Sequence, residues 1–312
     1  MKKDTSGMSK ALQHEIEYFF VKLFIAILNP LPLSIALKFG DLIGFLAFSV
    51  LRVRRDITMV NLKNSFGDKY SKKEYRQIGL RSYQNFAQSM IEFGLYPKLA
   101  RMGLETIVDI EGKNICEEHL KTGKGAVIVS GHFGNLEMVG TALTIFPWPI
   151  DFLVGKQHNR RVNSLMNNHR SLFGVGIIEI GLSARGVFTA LKKGRWVVML
   201  SDQNARADGV IINFLGRPAS TPKGAAAFAL KTDCPIIVAM LVRSKRGKHK
   251  LYIEGPISIT SSDNKDEDIR RLTQIYSDVI AKYIERYPDQ WFWAHKRWKA
   301  TCPEDYGLKK SG

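Results

Sequence analysis

From residue 105 onward, short apolar runs alternate with longer segments of helical spacing. The runs are 105–110 (ETIVDI), 126–130 (AVIVS), 151–154, 196–200 (WVVML), 210–214 (VIINF), 236–242 (IIVAMLV) and 250–254. Runs of this length and composition read as strands. Segments 113–121, 134–144, 159–172, 183–192 and 221–231 read as the helices between them. The alternation predicts an α/β fold, with a mixed, largely parallel sheet flanked by helices. Two further helices are well marked. One runs from Ser71 to about Pro97, where Ser71 and Glu74 have capping-box spacing. The other covers 268–286, where Ile269, Leu272, Tyr276 and Ile280 share a face and Pro288 sets the end.

The N-terminal residues differ in kind. Residues 18–55 are the most apolar part of the chain, yet Lys22, Pro30, Pro32, Lys38 and Asp41 interrupt them. A spanning helix needs ~20 apolar residues, and neither uninterrupted piece is a clean match. Acidic Glu15 and Glu17, and no small-residue cleavage site after Leu28, speak against a signal peptide. Two apolar helices broken at Asn29-Pro30 are expected, followed by basic Arg52, Arg54 and Arg55. That arrangement suits a membrane-surface anchor or a tilted single span, with the arginines at lipid phosphates. The competing reading is a buried helical hairpin of a soluble protein. The expected division is an anchor over 1–55 and one α/β domain over 56–312.

Lys and Arg number 46 against 29 Asp and Glu, a formal charge of +17. Such a chain attracts an anionic partner, whether nucleic acid, phospholipid surface or acidic protein. The three cysteines, Cys116, Cys234 and Cys302, lack CxxC pairing, which argues against a zinc site or a disulfide framework.

The stretch AVIVSGHFGNLE, 126–137, carries the chemistry. A buried strand ends at Ser130, Gly131 permits a sharp turn, and a helix can begin near Gly134. Open α/β sheets place ligands at such carboxyl ends. On one continuous helix His132 and Glu137 would point about 140° apart. With His132 in the turn and Glu137 one helical turn on, the carboxylate can reach an imidazole nitrogen. The other nitrogen then becomes a base for a hydroxyl, and free N–H groups at the helix start favour an oxyanion. A capping or core histidine beside a solvated glutamate is the plainer alternative.

At these residues the sequence resembles the bacterial lipid A biosynthesis acyltransferases, within the lysophospholipid acyltransferase superfamily. Their shared signature is His, four residues, then an acid, as in GHFGNLE. Other stretches look like further family segments in family order: RDITMVNLKNSFGD (55–68), MNNHRSLFG around Arg170, SDQNARADGVIINFLGRPASTPKGAAAFAL (201–230) and DQWFWAHKRWKATCP (289–303). The resemblance implies a glycerolipid-acyltransferase-like fold and acyl transfer at the cytoplasmic face of the bacterial inner membrane, with no metal or cofactor. The donor it implies is a fatty acyl thioester, on acyl carrier protein or coenzyme A; the acceptor is a hydroxyl of a lipid A precursor or related glycolipid. His132 is then the general base and Glu137 the group that orients it and stabilises the imidazolium, without an acyl-enzyme. Arg170 would grip phosphate or the oxyanion. Asp202 and Gln203 would position substrate or Arg170. Gly131 and Asn135 in the turn, with Thr221 and Gly224, would contribute to substrate binding. Trp291, Trp293 and Trp298 interleave with Lys296, Arg297 and Lys299. That pattern suits a membrane interface, or stacking on single-stranded nucleic acid, although the resemblance implies no nucleic-acid partner. The alternatives are an acyl-CoA-dependent acyltransferase of another phospholipid or glycolipid, such as phosphatidylinositol mannoside, and a non-catalytic basic binding protein.

Overall fold

The computed structural model describes residues 4–180, 183–245 and 247–308. Seven strands form one sheet: β1 (Val108–Glu111), β2 (Ala126–Ser130), β3 (Ile150–Val154), β4 (Gly176–Glu179), β5 (Trp196–Leu200), β8 (Ile236–Lys245) and β9 (Lys248–Ile257). Their order is β1-β9-β8-β2-β5-β3-β4. Only the β8–β9 hairpin is antiparallel; every other pairing is parallel. Strands β6 (Val210–Phe214) and β7 (Arg217–Thr221) form a separate hairpin. This is the mixed, largely parallel α/β sheet expected.

The central strand explains its own position. All five residues of β2 are buried. Val127 and Val129 pack into the core on one face, under the helices Gly224–Thr232 and Lys265–Arg286. Ala126 and Ile128 pack into the core on the other, with Phe93, Tyr96 and Met138. A strand covered on both faces has no polar side to show, so it reads as a continuous apolar run.

Two strands and two helices escaped the sequence reading. β4 and β7 are only four and five residues long, and β7 contains Pro218. The helices Arg55–Phe66 and Tyr96–Met102 lack a strong apolar stripe or are short. The helix Lys72–Gly94 does carry the Ser71–Glu74 capping box, with both reciprocal hydrogen bonds formed.

The N-terminal segment forms a helix Asp4–Leu28, a break at 29–32, and a second helix Leu33–Phe45 that continues through a π turn, Leu46–Val50. Lys38 and Asp41 do not interrupt it. Leu33–Val50 is one helical stretch long and apolar enough to cross a bilayer, and 28% of it is buried. Asp41 is accommodated because it faces protein: its Oδ1 accepts from Gln88 Nε2 at 2.5 Å. Gly40 and Gly44 let the two helices touch. A Cβ on Gly44 would sit 2.5 Å from Gln84 Cα, and one on Gly40 2.9 Å from Gln88 Cα. Two small residues four apart bring backbones together in this way. The opposite side is apolar and outward, with Ile35, Phe39, Leu42 and Leu46 exposed, as are Phe19, Phe20 and Leu23 on the preceding helix.

Gly44→Leu should therefore drive the helix Leu33–Phe45 off its neighbour and cost about 1–3 kcal/mol or more, as overpacking does. Gly123 has φ +66° and open space around it, so Gly123→Asn should cost less than about 1 kcal/mol. Thermal unfolding of the two variants in detergent compares them.

Candidate active site

The register of the sheet builds the site. Ser130 of β2 pairs with Leu200 of β5. Both strands end there, and the Ser201 N–H donates to the Ser130 carbonyl at 3.0 Å. Two residues on, His132 and Asp202 stand side by side. The Asp202 carboxylate takes three N–H donors: His132 Nδ1 on Oδ1 at 2.7 Å, the His132 backbone on Oδ2 at 2.8 Å, and Trp291 Nε1 on Oδ2 at 2.7 Å. Burial alone would raise its pKa. The His132 ring and these hydrogen bonds outweigh burial, and the carboxyl is lowered to about 2. An ionised acceptor on Nδ1 fixes the proton there, leaving Nε2 with the lone pair. The His132 side chain is 24% exposed, so that lone pair belongs to an accessible ring.

This corrects the expected pairing. The acid on the His132 ring is Asp202, whereas Glu137 is engaged elsewhere. Glu137 Oε1 and Oε2 accept from Arg170 Nη2 and Nε at 2.9 and 3.0 Å, a bidentate pair buried on both sides. Arg170 Nη1 donates to Asn167 at 2.8 Å, and the guanidinium lies 5.2 Å over the Phe93 ring. Arg170 thus spends its donors inside the protein, where an anion-gripping arginine was expected. Burial raises the Glu137 carboxyl above its ordinary value, although Arg170 and the nearby His132 pull it down. The expected helix from Gly134 begins only at Met138. Gly134 has φ +53°, and the Asn135 Oδ1 accepts from the Met138 N–H at 3.0 Å, so the turn is extended before the helix starts.

The turn is clamped from behind. Ser89 Oγ donates to the Gly134 carbonyl at 3.0 Å, and Asn135 Nδ2 donates to Glu92 Oε2 at 2.7 Å. Glu92 is fully buried and also accepts from Arg243 and His249. Burial acts to raise its pKa, but these two partners hold it well below the usual carboxylate range. Asn135, expected to touch substrate, is completely buried in this network. Gly131 presses on the site through its backbone: a Cβ there would lie 3.1 Å from Asp202 Oδ2.

Two of the remaining expected residues, Gln203 and Thr221, meet Arg297, which is 0% exposed. Its guanidinium donates to the carbonyls of Gln203 and Ser220 and to Thr221 Oγ1, and lies 4.8 Å over Phe214. Thr221 and Gln203 are thus brought toward the Asp202 side through one buried cation. Gly224 opens the helix Gly224–Thr232 in loose surroundings, its nearest side-chain neighbour 4.0 Å from a built Cβ. The C-terminal tryptophans are core residues. Trp291, Trp293 and Trp298 are 2%, 0% and 0% exposed, so they meet neither membrane nor nucleic acid. Three indoles supply more apolar area than any other side chains, and Trp291 and Trp293 find acceptors inside, at Asp202 and the Pro288 carbonyl.

An apolar cavity of about 610 Å³ adjoins this cluster. Phe24 and Leu28 of the N-terminal helix, Phe86 and Met90 of Lys72–Gly94, and Leu165 of the helix Arg160–Ser171 line it, together with Phe292. The Phe292 N–H donates to the His132 carbonyl at 3.0 Å, so the cavity wall and the histidine turn are one unit.

The sequence profile described as bacterial lipid A biosynthesis acyltransferase matches residues 5–300. The chain belongs to that family. It is 22% identical over 272 residues to the lipid A biosynthesis palmitoleoyltransferase of Escherichia coli (strain K12), covering 86% of each chain. It is 24% identical over 311 residues to the lauroyltransferase of the same strain, covering 95% of this chain and 96% of the relative. Similarity extends to the phosphatidylinositol mannoside acyltransferase of Mycobacterium tuberculosis (strain ATCC 25618 / H37Rv), 23% over 211 residues, 66% of this chain and 64% of that protein. This family member is an acyltransferase, and the non-catalytic alternative is set aside.

The indoles offer a test of the buried acid. Trp291→Phe leaves Asp202 one donor short, which should cost about 1.5–3 kcal/mol. Trp298 Nε1 has no partner among the described residues, so Trp298→Phe should cost clearly less. Equal losses in denaturant unfolding of the two would count against the Asp202 network as a source of stability.

Proposed function

We propose that the protein transfers a fatty acyl chain from an acyl thioester, carried on acyl carrier protein, to a hydroxyl of a lipid A precursor. The observation that carries this reading is the accessible His132 imidazole with its Nδ1 proton held by a buried, ionised Asp202. His132 Nε2 takes the proton of the acceptor hydroxyl as its oxygen attacks the thioester carbonyl. Asp202 orients the ring and stabilises the imidazolium, the part an aspartate plays behind histidine in hydrolase triads. The substrate hydroxyl stands where such enzymes have their own nucleophile, so no acyl-enzyme forms. The imidazolium then gives its proton to the departing thiolate. Glu137 assists through space: its carboxyl is electrostatically coupled to His132 and is held in a bidentate pair by Arg170.

The apolar cavity suits the acyl chain, because its walls are hydrocarbon and it abuts the His132 turn. Residues 1–55 serve as the anchor and 56–312 as the catalytic domain. The exposed apolar faces at 12–27 and 35–51 end in exposed Arg52 and Arg54. Apolar surface rimmed by fixed cations fits the anionic inner leaflet at the cytoplasmic face of a bacterial inner membrane. The overall charge of +17 favours the same surface and an acidic carrier protein.

His132→Ala should reduce acyl transfer at least about a thousandfold, and Asp202→Asn about a hundred- to ten-thousandfold by presenting a donor to the wrong ring nitrogen. Both should still sediment with membranes. The assay uses purified protein, a fatty acyl thioester of acyl carrier protein, and a lipid A precursor with free 3-hydroxyacyl chains. Mass spectrometry of lipids from cells lacking the protein identifies the acceptor: a missing secondary acyl chain on lipid A supports the reading. Intact lipid A beside an altered phosphoglycolipid would assign the enzyme to the chemistry named for the mycobacterial relative.

A further inference from the structure

A second imidazole stands beside the first, and the acyl-transfer reading gives it no task. His295 follows Ala294, a residue of the cavity wall, and sits three residues after Phe292, which holds the His132 carbonyl. Its own carbonyl is fixed by Asn61 Nδ2 at 2.8 Å. The ring lies within electrostatic range of Asp202, His132, Arg297 and Arg54. Arg54, one of these charges, also lines the apolar cavity, as do Phe292 and Ala294 near His295 in the chain.

The tautomer of this ring follows from one hydrogen bond. The Asn204 backbone N–H donates to His295 Nε2 at 3.1 Å. A backbone amide can only donate, so Nε2 holds a lone pair and the proton of the ring is on Nδ1. Burial first, then the His132 ring and the Arg297 and Arg54 cations, lower its pKa to about 4 against the pull of Asp202. The ring is uncharged near neutral pH. Its Nδ1 has no partner among the described residues and is not among the atoms sealed from solvent. A fixed donor with nothing to bind, next to a base and an apolar cavity, matches the need for an acceptor oxygen there.

We propose that His295 donates its Nδ1–H to the carbonyl oxygen of the acyl thioester as that carbon becomes tetrahedral. The inference rests on His132 acting as general base. As the acceptor oxygen forms its bond to the carbonyl carbon, its proton passes to His132 Nε2 and the carbonyl π pair moves onto oxygen. His295 Nδ1–H stabilises that oxyanion. Collapse restores the carbonyl and breaks the C–S bond, and the thiolate takes the proton back from His132. Thioester and alcohol become ester and thiol with nothing left over. A neutral donor suits the position better than a lysine or arginine, because a full positive charge there would oppose the imidazolium forming on His132.

Two substitutions separate this role from a structural one. His295→Asn sets an amide NH₂ near the place of Nδ1 and gives up the acceptor for Asn204. His295→Gln sets an amide oxygen near the place of Nε2, keeps the Asn204 bond and gives up the donor. With the acyl-carrier-protein thioester and the lipid A precursor as substrates, H295Q should lose about a hundred- to a thousandfold in kcat, the effect of removing one oxyanion donor. KM and the shape of the pH profile should hold. H295N should lose less than about tenfold. The reverse order, equal losses, or full activity in both variants overturns the proposal, since His295 would then be holding the Asn204 loop or doing nothing in the reaction. His132→Ala measured alongside keeps the two readings apart. An active H132A removes the general-base mechanism itself, whereas an inactive H132A with the wrong order at position 295 removes only the oxyanion donor.

Discussion

A carboxylate taken wholly out of water must be paired or it will not stay ionised. Asp202 meets that demand with three N–H donors drawn from two distant parts of the chain. Two come from the turn after β2 and one from Trp291, about ninety residues beyond Asp202 itself. The C-terminal segment is consequently part of the site. Phe133 and Trp291 form an isolated antiparallel bridge, and the Gly134 N–H donates to the Gln290 carbonyl at 2.8 Å. The tryptophan cluster that shields the acid also fills the core between the sheet and the β6–β7 hairpin, where Phe214 meets Trp291 and Trp298. Packing and ionisation are therefore coupled: losing an indole exposes the acid, and losing the acid strands an indole N–H.

A second buried charge group supports the same turn from the opposite side. Glu92 gathers Asn135, Arg243 and His249, with Ser89 on the adjacent carbonyl. The backbone around His132 is thus held by hydrogen bonds from the sheet, from the C-terminal segment and from the helix Lys72–Gly94. For the general base proposed above, such support would hold the ring in line with two substrates, since proximity and orientation contribute only where the geometry does not drift.

Much of this was legible in the sequence. The apolar runs located six of the seven sheet strands to within a few residues, β2 and β5 among them to the residue, because buried parallel strands tolerate no polar interruption. Strand order was not legible, and with it went the partner of His132. The clue was present: both AVIVS and WVVML are followed by one small residue and then a titratable one. Only the Ser130–Leu200 pairing turns that repetition into contact. Glu137 looked like the partner because it is near in sequence, but the turn after Gly134 carries it to Arg170. The tryptophans misled for another reason. Alternating indoles and cations suggest an interface until the cations are seen to diverge, Arg297 inward to carbonyl oxygens and Lys299 outward to solvent.

Gly40 and Gly44 join the apolar outer helix to the helix that clamps the histidine turn, with no side chain between the two backbones. Slack at that crossing would let the reactive end float. Without it, under the acyl-transfer reading proposed above, whatever captures the greasy flank would also dictate the height and tilt at which the imidazole meets its alcohol, and a substrate would be chosen partly by how far its hydroxyl reaches from its own layer.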